Sequence, residues 1–199
     1  LRVLFCSCLT LGMLLATVSA EPLAAERATS SLRARQQVIR SIPFDQLSDV
    51  KRAKLEEIIH RPSLYRRLPV QVTDCDRQLF TFLVRNPEVV VNMWQLMGST
   101  KIQFQRTGPY HFTFSDGAGT VSRIELVYGT PDLHIFYAEG TYSGPLITRP
   151  VRGSCVMVLN TSHPQQQGRQ YLASRLDVFL QVDHLGVEWL AKTLHPLLG

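Results

Sequence analysis

The stretch "RQYLASRLDVFLQVDHLGVEWLAKTLHPLLG" (residues 169–199) decides the fold. As far as residue 182, apolar and polar side chains alternate, and this pattern predicts one long β-strand with an apolar and a wetter face. The apolar face of this strand holds Leu172, Leu176, Val178, Leu180 and Val182, and the wetter face holds Arg175, Asp177 and Gln181.

The residues after Asp183 predict a closing helix, for which Asp183 is a suitable cap. Glu188, Lys192 and His195 form one narrow polar stripe on this helix, and the other positions are apolar or small. Such a helix is expected to be mostly buried, and it is too short to cross a bilayer. Packing against a curved sheet would bury it.

Five earlier segments show the same alternation as the last strand. Short turns join them, so together with the last strand they predict a six-strand antiparallel meander with one apolar and one wetter face. The five segments are "STKIQFQRT" (99–107), "YHFTFSD" (110–116), "TVSRIELVYG" (120–129), "LHIFYAEGTY" (133–142) and "VRGSCVMVLN" (151–160).

A strand and two short helices precede the meander. "LPVQVTD" (68–74) alternates as a strand does, and residues 76–98 read as two helices divided at Pro87. Asp74 or Asp76 is expected to cap the first of these helices, because aspartate favours that position. The predicted fold class is therefore α+β: a curved antiparallel sheet closed by a C-terminal helix, with an N-terminal helical extension.

The N-terminal part divides into two further segments. Residues 1–20 carry one arginine, an apolar run and a small-residue end, the pattern of a cleaved signal peptide; a retained anchor is the alternative. Residues 21–67 form a basic extension, partly helical, in which 21–41 read as a flexible or loosely helical linker. A helix capped by Ser48 or Asp45 follows, and the domain proper spans 68–199.

The positive charge lies in the extension. Residues 21–68 hold ten Lys/Arg and six Asp/Glu, hence +4, whereas 69–199 hold ten of each. A neutral domain argues against nucleic-acid binding, which needs clustered cations. The arginines Arg61, Arg66 and Arg67 are expected on a solvated surface, with weak contact to an anionic envelope surface as the functional alternative.

Removal of the signal segment leaves two cysteines, Cys75 and Cys155. In an exported protein they could form a disulfide, and independent buried thiols are the alternative. The histidines show no metal-ligand spacing, and His111 and His134 are expected to face solvent from their strands. The glycines read as turn residues without a phosphate-binding pattern, so neither a cofactor nor a metal is expected.

The order of strand, two helices, six strands and an apolar closing helix resembles the helix-grip superfamily, which includes START lipid-transfer domains and polyketide cyclase-like proteins. The resemblance is one of topology and covers residues 68–199. "IPFDQLSDVKRAKLEEIIHRPSLYRRLP" and "NPEVVVNMWQLMG" also resemble uncharacterised exported proteins of planctomycete bacteria.

The superfamily resemblance implies a cavity between the sheet and the closing helix that often holds an apolar ligand. For each side chain that would border it, filling a solid core is the alternative. The side chains concerned are Phe104, Phe112, Phe114, Phe136, Met157, Leu176, Val178, Leu180, Trp189 and Leu190.

Three functions are compatible with these features. The first is an exported, non-enzymatic domain that binds an apolar or amphipathic small molecule, such as a lipid or a polyketide-like metabolite. The second is a structural or interaction protein of the cell envelope with a filled core. The third is a cyclase- or hydratase-type enzyme, for which Arg123, Glu125 and Glu139 are the strand charges to consider, although alternation points Arg123 and Glu125 away from Ile124 and Leu126.

Overall fold

The computed structural model describes residues 28–144, 149–166 and 168–183, and these form an α+β fold. The helices of this part of the chain are α1 (Leu32–Ser41), α2 (Asp49–His60), α3 (Arg77–Arg85) and α4 (Pro87–Leu96). Its strands are β1 (Leu64–Arg67), β2 (Gln71–Thr73), β3 (Gln103–Gly108), β4 (His111–Ser115), β5 (Thr120–Gly129), β6 (Leu133–Tyr142), β7 (Val151–Ser162), β8 (Gln165–Gln166), β9 (Arg169–Gln170) and β10 (Leu172–Val182).

Eight of these strands form one antiparallel sheet in the order β1-β10-β7-β6-β5-β4-β3, and β2 also pairs with β10. The predicted α+β class and the antiparallel meander are confirmed. Asp76 caps α3 by accepting a bond from the Leu79 amide at 2.8 Å, and Pro87 begins α4, both as expected. The predicted signal segment (1–20) and closing helix lie outside the described residues.

The first strand and first helix differ from the sequence-based expectation. β1 lies at Leu64–Arg67, before the predicted strand at 68–74, of which only Gln71–Thr73 is paired. Residues 32–41 form helix α1, capped by the side chain of Ser31, and not a linker. The polar residues around Ala34 and Val38 concealed this helix, because only two of its side chains are buried.

Helices α1 and α2 cover one face of the sheet, which we call the core face. The prediction of a wetter face here is wrong, because its strand residues pack with both helices in a single hydrophobic cluster. The buried members of this cluster are Ala34, Val38, Ile42, Leu55, Ile58, Ile59, Tyr65, Val127, Ile135, Val156, Val158 and Phe179. Neighbouring residues along each strand point to the other side of the sheet, which we call the opposite face.

A buried ion pair joins the core face to α1. Arg67 Nε donates to Asp177 Oδ1 at 2.8 Å, and the Tyr65 hydroxyl donates to the same oxygen at 2.7 Å. The guanidinium also donates to Gln37 Oε1 (2.8 Å) and to the Ala34 carbonyl (3.1 Å) on α1. Burial and the bond to Asp177 raise the pKa of Tyr65, so its hydroxyl remains a donor.

The prediction of a solvated arginine cluster is therefore wrong for Arg67, which is 2% exposed. The polar face expected for Asp177 is likewise buried under α1. Alternation identified the direction of the Asp177 side chain correctly, but it gave no sign that a helix from the extension would cover it. The contact of the extension with an anionic surface stays a prediction.

We predict that Asp177→Ala lowers the free energy of unfolding by about 3–5 kcal/mol, because it leaves the Arg67 guanidinium buried without its counter-ion. Urea denaturation followed by circular dichroism measures this change. Glu56→Gln is the matched control: it breaks the exposed Arg52–Glu56 pair (2.9 Å), which is worth about 0.3–0.5 kcal/mol. Equal, small losses for both variants would contradict a structural role for the buried pair.

Candidate functional site

A row of small residues crosses the opposite face near one end of the sheet. The strand register places Ser122 beside Gly140, Gly140 beside Gly153, and Gly153 beside Val182. Two adjacent glycines and a serine leave no side chain larger than a hydroxymethyl group over three neighbouring strands. Space is therefore left above the backbone at this point.

Side chains grow larger along the strands away from this row. The next row on the same face is Ile124, Ala138, Cys155 and Leu180, and the row after it is Leu126, Phe136, Met157 and Val178. The opposite face is thus filled at the end near α3 and α4 and hollow at the other end. Because packed cores leave few voids of this kind, this size gradient marks a site.

The hollow has a volume of about 240 Å³ and a mostly apolar lining. At roughly 30 Å³ per water molecule, this volume corresponds to about eight waters. A space of this size could hold one ring or a short alkyl chain. Its lining residues on the opposite face are Thr120, Ser122, Ala138, Gly140, Tyr142, Val151, Gly153, Cys155, Leu180 and Val182.

The prediction that the glycines lie in turns is wrong for Gly140 and Gly153, which lie inside strands β6 and β7. A Cβ on Gly140 would collide with the Val121 carbonyl oxygen and with Ser122, so only glycine fits here. A glycine inside an alternating strand pattern is a recognised sign of close approach by backbone or ligand. The glycines within "YAEGTY" (137–142) and "VRGSCV" (151–156) could therefore have indicated the hollow from the sequence.

The predicted cavity residues divide between the filled end of the opposite face and the rows of the hollow, where Phe114 pairs with Ser122 and Phe112 pairs with Ile124. Leu180 is the one of them that lines the hollow among the described residues. Phe104 packs on Phe112 and Phe114, with ring centroids 5.4 and 6.3 Å apart. Phe136, Met157, Leu176 and Val178 share this face farther from the hollow. Trp189 and Leu190 lie outside the described residues.

Cys75 and Cys155, the two cysteines within the described residues, are free thiols. Cys155 faces the hollow, and burial raises the pKa of its thiol to about 12. The Cys75 thiol lies just before α3 and contacts the Asp76 carbonyl at 3.5 Å. Cys155 therefore behaves as a small apolar lining group and not as a reactive nucleophile.

His134 is fully buried, so the prediction that it faces solvent is wrong, whereas His111 is exposed as expected. Arg85 on α3 approaches His134, with Nε 3.4 Å from Nε2. Burial, with the Arg85 charge as a second cause, lowers the pKa of His134 to about 4. This histidine is a neutral part of the filled end and lies several residues along the strands from the hollow.

The charged strand residues considered for enzyme chemistry lie on the core face. Glu125 pairs with Lys51 at 3.3 Å, and Glu139 accepts a bond from the Tyr137 hydroxyl at 3.1 Å. Arg123 and Glu139 line an open groove of about 810 Å³ at the end of the core face, and Glu139 also borders the hollow. These groups face α2 and solvent, and the hollow is on the other side of the sheet.

Among the described residues, no three His, Cys, Asp or Glu side chains lie close enough to share a metal ion. The helices described are each too short or too polar to cross a membrane. Comparison with family models, with curated proteins and with solved structures finds no significant match.

We predict that the two thiols react at very different rates. With a pKa of about 12, roughly one Cys155 thiol in ten thousand is ionised at pH 8, so disulfide-exchange reagents should modify it slowly. In a Cys75→Ser variant without residues 1–20, which hold Cys6 and Cys8, the remaining rate should rise about tenfold per pH unit between pH 8 and 10. Rapid, pH-independent labelling of that variant would contradict the burial of Cys155.

We predict a pH dependence of stability that depends on His134. In the unfolded state His134 binds a proton near pH 6.5, and in the folded state it does so only near pH 4. The free energy of unfolding should therefore fall as the pH drops from 6.5 to 4. This loss of unfolding free energy is about 2–3 kcal/mol, and the His134→Gln variant should not show it. Urea midpoints of both proteins at pH 4 and pH 7 measure it, with His111→Gln as the exposed control. The same loss in both histidine variants would contradict this assignment.

Proposed function

We propose that this protein is an exported, non-enzymatic domain that binds an apolar or amphipathic small molecule in the hollow of the opposite face. The observation that carries the proposal is the row Ser122, Gly140 and Gly153, which leaves an apolar space on the face of the sheet that α1 and α2 do not cover. Ligand pockets are typically concave and apolar with a few polar groups, and the hollow has this composition.

The size and lining of the hollow restrict the ligand. A volume of about 240 Å³ lies just below the range of about 300–1,000 Å³ usual for drug-sized ligands. Thr120, Ser122 and Tyr142, which each carry a hydroxyl group, are among its lining residues. A single ring or short alkyl chain with one hydrogen-bonding group suits this lining better than a long lipid chain held entirely inside.

We further propose that the predicted closing helix covers the hollow. Asp183, the last described residue, exchanges backbone bonds with Arg152 beside the hollow, since its amide donates to the Arg152 carbonyl at 3.1 Å. Its carboxylate accepts from the Arg152 amide at 3.2 Å. Val182, just before Asp183, lines the hollow, and the apolar sequence of the predicted helix suits a lid. The helix-grip resemblance supports the same arrangement.

The proposal of export rests on the signal-like residues 1–20. A secreted or envelope protein meets lipids and metabolites outside the cell, which agrees with an apolar binding site. The absence of a recognised catalytic motif in the sequence favours binding over catalysis, and the strand charges named for an enzyme lie across the sheet from the hollow.

We predict that Ser122→Phe abolishes ligand binding by filling the hollow. Titration with anilinonaphthalene sulfonate, an amphipathic ring compound, should show at least tenfold weaker binding than in the unaltered protein, and octanoate should displace the probe from the latter. Val121→Phe is the matched control: it adds the same ring to the same strand, but at an exposed position on the core face.

Equal binding by the Ser122→Phe and Val121→Phe variants would contradict the proposed site. Circular dichroism at the same concentration checks that both variants are folded. Native mass spectrometry of the protein purified from its host would then give the mass of any resident ligand.

A further inference from the structure

Arg85, the last residue of helix α3, is half-buried and has no carboxylate partner among the described residues. Its Nη2 donates to the Gly129 carbonyl at 3.1 Å, and its Nε donates to His134 Nε2 at 3.4 Å. Both of these partners are neutral at pH 7, since burial lowers the pKa of His134. The third nitrogen, Nη1, has no hydrogen bond to the described residues. A half-buried cation without a counter-ion is costly, so an anion at this guanidinium would stabilise the folded protein.

The guanidinium borders a small pocket, which we call the Arg85 pocket. It has a volume of about 180 Å³ and a mostly polar lining. At roughly 30 Å³ per water molecule this volume corresponds to about six waters, enough for one small oxyanion with a few waters. Its described lining residues include no Asp or Glu, and they are Lys51, Arg85, Tyr110, Leu126, Val127, Tyr128 and Gly129.

A β-bulge in β5 brings a second cation to this pocket. The register between β5 and β6 shifts between Leu126 and Tyr128, so Val127 is the extra residue of the bulge. Lys51 Nζ, on α2, donates to the Val127 carbonyl at 3.3 Å, which holds the ammonium group at the pocket wall. The bulge thus joins a lysine of α2 to a pocket that also contains the arginine of α3.

The carboxylates that lie close to the pocket along the chain do not cancel this charge. Asp49 is two residues from the lysine of the pocket and therefore on another side of α2. The other three already face cations: Glu125 lies 3.3 Å from Lys51 and 3.9 Å from Lys54, Glu88 lies 2.8 Å from Arg106, and Asp132 lies 3.1 Å from Arg77. One carboxylate is thus shared by two lysines and none pairs with the arginine of the pocket, so positive charge is in excess there.

We propose that the Arg85 pocket binds a small tetrahedral oxyanion, either inorganic phosphate or the phosphate group of a larger molecule. Arginine presents its N–H groups as a planar fork that matches the oxygens of phosphate, and Nη1 is available for such a bond. Lys51 contributes a second positive charge, and Tyr110 carries a hydroxyl group that can donate to the anion.

The Arg85 pocket is separate from the hollow, because Gly129 pairs with His134 at the filled end of the sheet. Probe titrations of the hollow in saturating phosphate should leave the Gly129 amide resonance unshifted, since the pocket is then already occupied. Either proposal can therefore fail without the other.

Nuclear magnetic resonance of the full chain at pH 7 tests the pocket, with sodium phosphate as the probe and sodium chloride at equal ionic strength as the reference. The Gly129 amide and the His134 ring protons should shift in a saturable way with phosphate, because both residues contact Arg85. A second titration with glycerol 3-phosphate separates the two sources: the compound that binds more tightly identifies free phosphate or a phosphate ester. Equal shifts with chloride, or no saturable shift with either phosphate compound, would overturn the proposal.

Four variants assign the binding to the side chains of the pocket. Arg85→Gln should weaken phosphate binding at least tenfold and Lys51→Gln several-fold, whereas Arg33→Gln, at an exposed position on α1, should leave it unchanged. Arg85→Lys keeps the charge without the planar fork and should bind with intermediate affinity. Circular dichroism checks that each variant is folded. Unchanged affinity in Arg85→Gln, or an equal loss in Arg33→Gln, would contradict the proposed site.

Discussion

The buried bond between Arg67 and Asp177 constrains the rest of the structure. Burying two charges is costly, and bonds to Tyr65, Gln37 and the Ala34 carbonyl offset part of this cost. The second carboxylate oxygen of Asp177 has no hydrogen bond and lies 3.6 Å from Arg175 Nε. The pair joins the edge strand β1 to β10 and holds α1 over both. A shift of β1 by one residue would turn Arg67 to the other face and leave Asp177 unpaired, so the pair also fixes the register.

With α1 and α2 on the core face, the sheet has a packed layer on one side before the opposite face is considered. The opposite face can therefore be incompletely filled at one end without loss of the core. Gly140 and Gly153 lie near the ends of the ten- and twelve-residue strands β6 and β7, and they leave the space above this part of the sheet. The packed cluster that stabilises the fold and the hollow thus lie on different faces of the sheet.

The sequence predicted the features that depend on local periodicity. The six meander strands (β3 to β7 and β10) and the cap at Asp76 follow from alternation and from aspartate chemistry, and the structure confirms them. The short pair β8 and β9 was not predicted. For residues 21–41 the sequence predicted only a flexible or loosely helical linker, because the stability of α1 comes from tertiary contacts with the sheet, which a polar local sequence does not reveal. His134 was misplaced because a residue on an alternating strand faces solvent only if no helix covers that face, and α3 supplies Arg85 there. Prediction of the hollow would have required the pairing register of three strands, which a single sequence does not provide.

The amide resonances of the strand glycines test the central claim most directly, since they report on both ends of the opposite face in one spectrum. In a titration with anilinonaphthalene sulfonate, we expect the chemical shifts of the Gly140 and Gly153 amides to change in a saturable way. Gly129, which pairs with His134 at the filled end, should stay in place. Shifts confined to Gly129, or none at the two strand glycines while the probe binds, would contradict a binding site at the hollow.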